Sequence, residues 1–443
     1  MSLPTSCGRG VSSALALITV ALLAGCATIR QDVPRPPSYA LDQAQTTALA
    51  RSFASQLDAT PGRSGFRLLP VGQEAFVVRA ALANAAQHTL DLQYHIVAPD
   101  ATGTLAAHPN MQVRVFNPFA RRSLGALSKL MDYLDDGDRL NRRMHNKLWI
   151  ADNSAALIGG RNLGDAYFNA DGRSNFADLD VLSVGPVVAQ ASQSFDAYWN
   201  SEWSVPIQAY ARQTPTPGQV EQLRTELAAR ASAFSGSAYA QALRSTDLGM
   251  LVRSGRLALV SAKATVLYDP PTKLRGQNQA VTGHVVSNLR DAIVSIQREL
   301  ALVSPYFVPQ ARGVEVLCTL AGRGVRVRVL TNSLASTDVP AVHAAYARYR
   351  PQLLACGVVL HELRPSASTG ASLRRVISSG VSLHAKAILL DGKSVLIGSM
   401  NLDPRSRLSN TEVAVRYTSE PLASWWQRMT SALLGVVIPE DML

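Results

Sequence analysis

Residues 144–162 read MHNKLWIADNSAALIGGRN, and residues 384–401 read HAKAILLDGKSVLIGSMN. The two stretches share one grammar: His, Lys two places on, Asp five after the Lys, a Gly-Gly or Gly-Ser pair, then Asn. His145, Lys147, Asp152, Gly159, Gly160 and Asn162 answer His384, Lys386, Asp391, Gly398, Ser399 and Asn401. Two such patterns in register imply a duplicated unit. Outside them the match widens. An amphipathic helix (73–87) followed by an apolar strand (90–97) corresponds to a helix at 285–299 and a strand at 300–308. The fold class expected is therefore α/β with mixed sheets (α+β in character): two pseudo-twofold lobes, each a central sheet flanked by helices, joined face to face with the site at the lobe interface.

The halves are unequal. After its strand the second half continues with a helix at 313–322, a strand at 325–331, a helix at 339–356 and a strand at 358–363. In the first half Asp100 to Gly103 runs almost at once into Ala107 and the strand at 112–116, so no counterpart of RGVRVRVLTNS precedes His145. The first lobe is expected to lack one helix and one central strand. The domain reading is a signal peptide at 1–25, a lipidated Cys26 with a proline-rich tether at 26–40, a first lobe at 41–210, a connector at 211–250 and a second lobe at 251–443.

The amino terminus carries Arg9, an apolar run from Ala14 to Leu23, and Leu23-Ala24-Gly25-Cys26. That is the layout of a cleaved leader, too short to span a bilayer permanently. It resembles the bacterial lipobox, which implies acylation of Cys26, and the lack of Asp behind the Cys implies the outer membrane. A plain secretory signal stays open as the alternative. The expected location is the bacterial cell envelope, lipid-anchored and facing the periplasm. The chain has 443 residues and a formal charge of +11, which suits anionic partners. The four cysteines do not suggest a disulfide scaffold; Cys318 and Cys356 are read as buried free thiols in preference to a bridge, which an oxidising compartment would permit. Tyr198, Trp199 and Trp203 read as packing.

His and Lys two apart on a strand share a face. Asp152 and Asp391 sit where hairpin turns belong, so their carboxylates are expected to bond local backbone. Two facing copies bring two imidazoles, two ammonium groups and the amides of Asn162 and Asn401 around one pocket. That set suits a phosphodiester: the cations and amides hold the phosphoryl oxygens, one neutral His attacks phosphorus, and the other His protonates the leaving oxygen. Each histidine needs an orienting acid, and one follows each motif: Asp178 (preferred to Asp180) after the first, Glu412 after the second. No metal or cofactor is expected, since lysines supply the positive charge and metal-ligand spacing is lacking. His88, His108, His284, His343 and His361 are unpaired and read as structural, and His95, after Tyr94 at a strand end, as core or rim, with a place lining the pocket as the alternative.

The paired H-x-K-x4-D motifs with downstream G-[GS]-x-N resemble those of the phospholipase D superfamily over residues 66–415. Within that span Leu90 to Tyr94, Asn117 to Phe119, Asn141 to Lys147, Tyr306 to Pro309 and Leu402 to Ser406 look like the bacterial cardiolipin synthase branch, especially type C. The resemblance implies a phospholipase D-type phosphatidyltransferase or hydrolase that acts through a phosphohistidine. Its substrates would be phospholipids, phosphatidylglycerol and also phosphatidylethanolamine, with cardiolipin as product. His145 would be the nucleophile and His384 the general acid, though the sequence does not order them. Lys147, Asn162, Lys386 and Asn401 would grip the phosphate. A nuclease of the same superfamily is an alternative, although nucleic acid is not the expected partner without a stacking platform. So is a catalytically impaired lipid-binding lipoprotein, given the shortened first half. Two motifs in one chain make a monomer sufficient for one site.

Overall fold

The computed structural model describes residues 29, 32–95, 112–119, 134, 137–171, 174–210, 216–275, 284–363 and 381–418. The leader and Cys26 lie outside them, as does the stretch 96–111 that holds the shortening. Among the described residues no helix is long and apolar enough to cross a membrane. Part of the proline-rich tether is seated on the body: Ser38 N donates to Asn200 Oδ1 (3.0 Å), Ala40 N to Asp196 Oδ2 (3.0 Å), and Arg114 Nη2 to the Pro36 carbonyl (2.6 Å).

The first half supplies β1 (Ser64–Leu69), β2 (Leu90–Gln93), β4 (Leu148–Ala151), β5 (Ala155–Gly159) and β7 (Asp180–Val184) to a large sheet; β3 (Arg114–Phe116), β6 (Asn175–Ala177) and β8 (Ser204–Pro206) lie outside it. The second half supplies β9 (Val260–Tyr268), β10 (Glu299–Val303), β11 (Arg326–Asn332), β12 (Val359–Leu363), β14 (Ala387–Leu390), β15 (Ser394–Gly398) and β16 (Val413–Thr418), with β13 (Val381–Leu383) apart. The twelve strands run β12-β11-β10-β14-β15-β16-β9-β1-β7-β5-β4-β2. Around the β9–β1 seam the order is a palindrome, β10-β14-β15-β16-β9 answering β2-β4-β5-β7-β1, as duplication predicts.

The expected pair of sheets is thus one sheet, continuous because β9 pairs with β1 (Ser64 opposite Ala262) as well as with β16. It still folds face to face. Along the apolar runs, alternate residues go to opposite layers. Leu148 and Ile150 join Ala387, Leu389, Val395 and Ile397 in a core between the halves, whereas Trp149 and Ala151 turn outward. The outward face is covered by α1 (Ala48–Asp58) and α2 (Gly72–Ala85) through Leu49, Phe53, Val78 and Leu82. This burial on both faces explains why the motif strands are apolar throughout. α3 (Pro186–Trp199) closes the first half, and its Trp199 ring stacks under the Arg114 guanidinium at 4.3 Å. The connector forms α4 (Pro217–Gly236), α5 (Ala238–Arg244) and α6 (Leu248–Arg253), the last adding Leu248 and Val252 to the first-half core.

Over the second half lie α7 (Val285–Val294), α8 (Gln310–Gly322), α9 (Pro340–Ala347) and α10 (Arg350–Ala355). The helix expected at 339–356 is two, divided before Pro351, which takes the first turn of α10 because proline fits there and breaks a helix interior. Cys318 and Cys356 are not free thiols. They form a disulfide, because α8 and the end of α10 pack side by side and bring the two Cα atoms to 5.4 Å. The inequality of the halves appears at the sheet edges. Beyond β10 the second half adds β11 and β12 in parallel. Among the described residues nothing extends the sheet past β2, and β3 pairs with β8 instead.

Candidate active site

Both motifs fold as hairpins, β4–β5 and β14–β15, with the His on the chain entering the first strand. At the tips Asp152 and Asn153 (φ 50° and 48°) and Asp391 and Gly392 (φ 53° and 69°) are left-handed pairs, the turn that matches strand twist. The two carboxylates do bond backbone, but not their own turn. Asp152 accepts from the N–H groups of Gln87, His88 and Thr89 at 2.8–2.9 Å. Asp391 accepts from those of Gln297, Arg298 and Glu299. Each thus ties a hairpin tip to the entrance of the neighbouring strand, β2 or β10. Although partly buried, Asp391 is held below the usual carboxylate range by these N–H groups.

The other ends of the hairpins converge. His145 Nδ1 lies 2.9 Å from Glu412 Oε2, and His384 Nδ1 lies 2.7 Å from Asp178 Oδ2. The expected acids are present, but each serves the other half's histidine. The reason is that the chain following each motif crosses the seam: Thr411 bridges Met144 and accepts from His145 N (2.9 Å), while Ala177 O accepts from His384 N (2.8 Å). β6 and β13 pair in parallel beside it. Asp180, the less favoured candidate, is elsewhere, bridging the buried Arg79 (2.8 Å) and Arg161 (3.3 Å).

The glycines permit this crossing. A Cβ on Gly160 would sit 2.1 Å from Asp178 Oδ1, and one on Gly159 the same distance from Asp180 Oδ1. On Gly398 it would meet the Val413 carbonyl at 2.2 Å. Gly160's counterpart, Ser399, has a different use: its hydroxyl donates to Glu412 Oε2 (2.5 Å) and accepts from Val413 N (3.0 Å). Ser406 Oγ donates to Glu412 Oε1 at 2.7 Å, and Glu412 N donates to Asp269 Oδ2, itself paired with Lys273 at 2.7 Å.

Lys147 and Lys386 are buried, each donating to the carbonyl of its own histidine. Asn162 Nδ2 donates to the Tyr167 hydroxyl (2.9 Å), and Asn401 Oδ1 is buried without a partner. Desolvation depresses Lys147 to about 7 and Lys386 to about 8 despite nearby Glu412 and Asp178. His145 is pushed well below the ordinary imidazole value by burial and by Lys147, Lys386 and His384. His384 is lowered by burial and Lys386, with Asp178 working against them. Burial raises Glu412. Asp178 is as buried, yet its pairing with His384 outweighs desolvation and holds it ionised. Burial and mutual repulsion thus disfavour the charged forms of the two histidines and two lysines, and an anion entering the pocket would restore them, the electrostatics of an anion site.

Several neighbours escaped sequence reading. Tyr167 and Phe176 pack on the His384 ring at 5.2 and 5.1 Å between centroids. Arg161, fully buried, donates to the carbonyls of Leu69, Pro70, Tyr167 and Asp178 and so fixes the backbone under Asp178. Its place between Gly160 and Asn162 was the one available signal. His95, read as core or rim, is half-buried with its ring 5.4 Å from that of His145.

A family description, "Cardiolipin synthase, PLD-like domain", matches residues 289–434. Cardiolipin synthase C of Escherichia coli (strain K12) is 37% identical over 82% of this chain and 83% of its own length. The chain belongs to the phospholipase D-like cardiolipin synthase family. An uncharacterised Helicobacter pylori (strain ATCC 700392 / 26695) protein is 28% identical over 92% of this chain and 87% of its own. The family's fold is visible too in a solved phosphatidylserine synthase of Haemophilus influenzae Rd KW20. That structure superposes with a TM-score of 0.53, at 13% identity over 87% of this chain and 90% of that one, a likeness in fold alone. Members of this family are phospholipid-related enzymes.

Proposed function

We propose that this chain transfers a phosphatidyl group between phospholipids, making cardiolipin from phosphatidylglycerol through a phosphohistidine. The observation that carries the reading is the crossed pairing of His145 with Glu412 and His384 with Asp178, which leaves both Nε2 atoms for chemistry and assembles only when the two halves fold together. His145, more strongly depressed and neutral, attacks phosphorus, and the P–O bond to glycerol breaks. His384, whose ionised Asp178 partner favours the imidazolium, gives its proton to the departing alkoxide. A second phosphatidylglycerol then loses its hydroxyl proton to His384 and attacks the phosphohistidine, releasing cardiolipin and free His145. Lys147, Lys386, Asn162 and Asn401 hold the phosphoryl oxygens. The 37% identity to a cardiolipin synthase C supports this substrate class.

Purified full-length chain with labelled phosphatidylglycerol, with and without phosphatidylethanolamine, tests it. Cardiolipin formation lost in both His145→Ala and His384→Ala is expected. Phosphatidic acid alone would mean hydrolysis, and DNA cleavage without lipid turnover would move the substrate to nucleic acid. The lipobox at Cys26 and the Cys318–Cys356 disulfide support a lipid-anchored location outside the cytoplasm. A Cys26→Ser chain should leave the membrane fraction.

A further inference from the structure

β11, which has no counterpart among the described strands of the first half, shows how the second half's histidine is held. β11 ends on Asn332, whose amide closes both backbone hydrogen bonds of Leu383: Nδ2 donates to Leu383 O at 3.0 Å, and Oδ1 accepts from Leu383 N at 2.9 Å. Ser336 Oγ donates to the same Oδ1 at 3.0 Å. Leu383 immediately precedes His384, so this clamp sets the imidazole's starting point. The residue in that position before His145 is Met144. Among the described residues no strand stands where β11 would lie in the first half.

His95 occupies the open edge instead. Leu90 pairs with Ala151 as Leu300 pairs with Leu390, and Gln93 with Leu148 as Val303 with Ala387. This register puts His95 two residues past the end of β2, at the place of Pro305. Its ring meets the His145 ring edge to face, 5.4 Å between centroids at 64°, and the Met144 carbonyl stands as an acceptor for it. Lys147, His145 and Arg143 also bear on it, and with burial they keep the imidazole neutral, with one N–H to donate.

We propose that His95 is a positioning residue for His145, doing for Met144 through its N–H and its ring what Asn332 does for Leu383. The proposal rests on the reading that His145 acts on a phosphodiester. It explains how the first motif keeps its geometry where, among the described residues, no counterpart of β11 stands beside it.

The test compares His95→Ala, His95→Asn and His95→Phe in the full-length enzyme. Misplacing a reacting group costs about tenfold to a hundredfold in rate. Alanine should lower kcat by that factor with KM changed less than about twofold. Asparagine, which keeps a donor, should recover most of the rate, and phenylalanine, which keeps only the ring, should not. NMR of 15N-histidine-labelled protein gives a readout without turnover: the Nδ1–H signal of His145 against Glu412 should broaden in His95→Ala and sharpen again in His95→Asn. Should the wild type turn over no phospholipid, the functional reading falls while this signal still decides the positioning role. An alanine variant matching wild type in rate and spectrum, or a phenylalanine variant matching wild type, overturns the proposal.

Discussion

Asparagine in place of Asp178 separates the work of the two histidines. The carboxylate lies 2.7 Å from His384 Nδ1, with side-chain exposures of 0% and 8%, so the bond is desolvated and charge-assisted. Such a bond contributes about 1.5–3 kcal/mol, a factor of roughly 10–150. It also favours the imidazolium, and general-acid help is worth about 10²–10⁴. We expect Asp178→Asn to slow turnover of phosphatidylglycerol by about 10²–10³. A p-nitrophenyl phosphodiester, whose leaving group needs no proton, should bypass the defect and lose less than about tenfold in its first step. Glu412→Gln acts instead on His145, the nucleophile, and should slow both substrates alike. Initial rates of both variants on both substrates, with p-nitrophenolate followed optically, give the comparison. If Glu412→Gln were the variant spared on the activated substrate, the assignment of roles across the seam would be refuted.

Asp180→Ala leaves the buried guanidinium groups of Arg79 and Arg161 without their shared anion and should cost about 3–5 kcal/mol in denaturant unfolding; a loss below about 1 kcal/mol would show that water replaces the ion pair. Lys147 and Lys386 titrate near 7 and 8 and are charged only below those values. KM for an anionic phosphodiester should therefore rise as pH climbs from 6.5 to 9, and a flat KM over that range would contradict an electrostatic grip by the lysines. The Cys318–Cys356 bridge closes a loop of sequence separation 38, so Cys318→Ser with Cys356→Ser should lower stability by about 2–4 kcal/mol without altering kcat.

Much of the site could be read from sequence because the chemistry is carried by residue types at fixed spacing on strands. His145 and Lys147, or His384 and Lys386, share a hairpin entrance whatever surrounds them. The turn at Asp152 was legible for the same reason, but its bonding partners at Gln87 to Thr89 were not, since they lie at the entrance to β2, 63–65 residues earlier in the chain. The crossed acids were hidden by the same non-locality. Spacing pointed to Asp178 and Glu412, and only the seam between β9 and β1 decides which histidine each one faces. The disulfide depends on how α8 and α10 pack, and nothing in the local sequence of Cys318 or Cys356 records that. The expected shortening of the first half falls outside the described residues, while the position of His95 beside His145 required the register of β2 on β4.

In the proposed reaction His145 is the nucleophile and His384 the acid. Acid-sparing quench of His384→Ala during incubation with labelled phosphatidyl-p-nitrophenol, whose leaving group needs no proton, followed by peptide mapping by mass spectrometry, tests this assignment. A phosphatidyl adduct on the peptide bearing His145, absent from His145→Ala, is the expected result; an adduct on His384 in the His145→Ala enzyme, with none on His145, would contradict it.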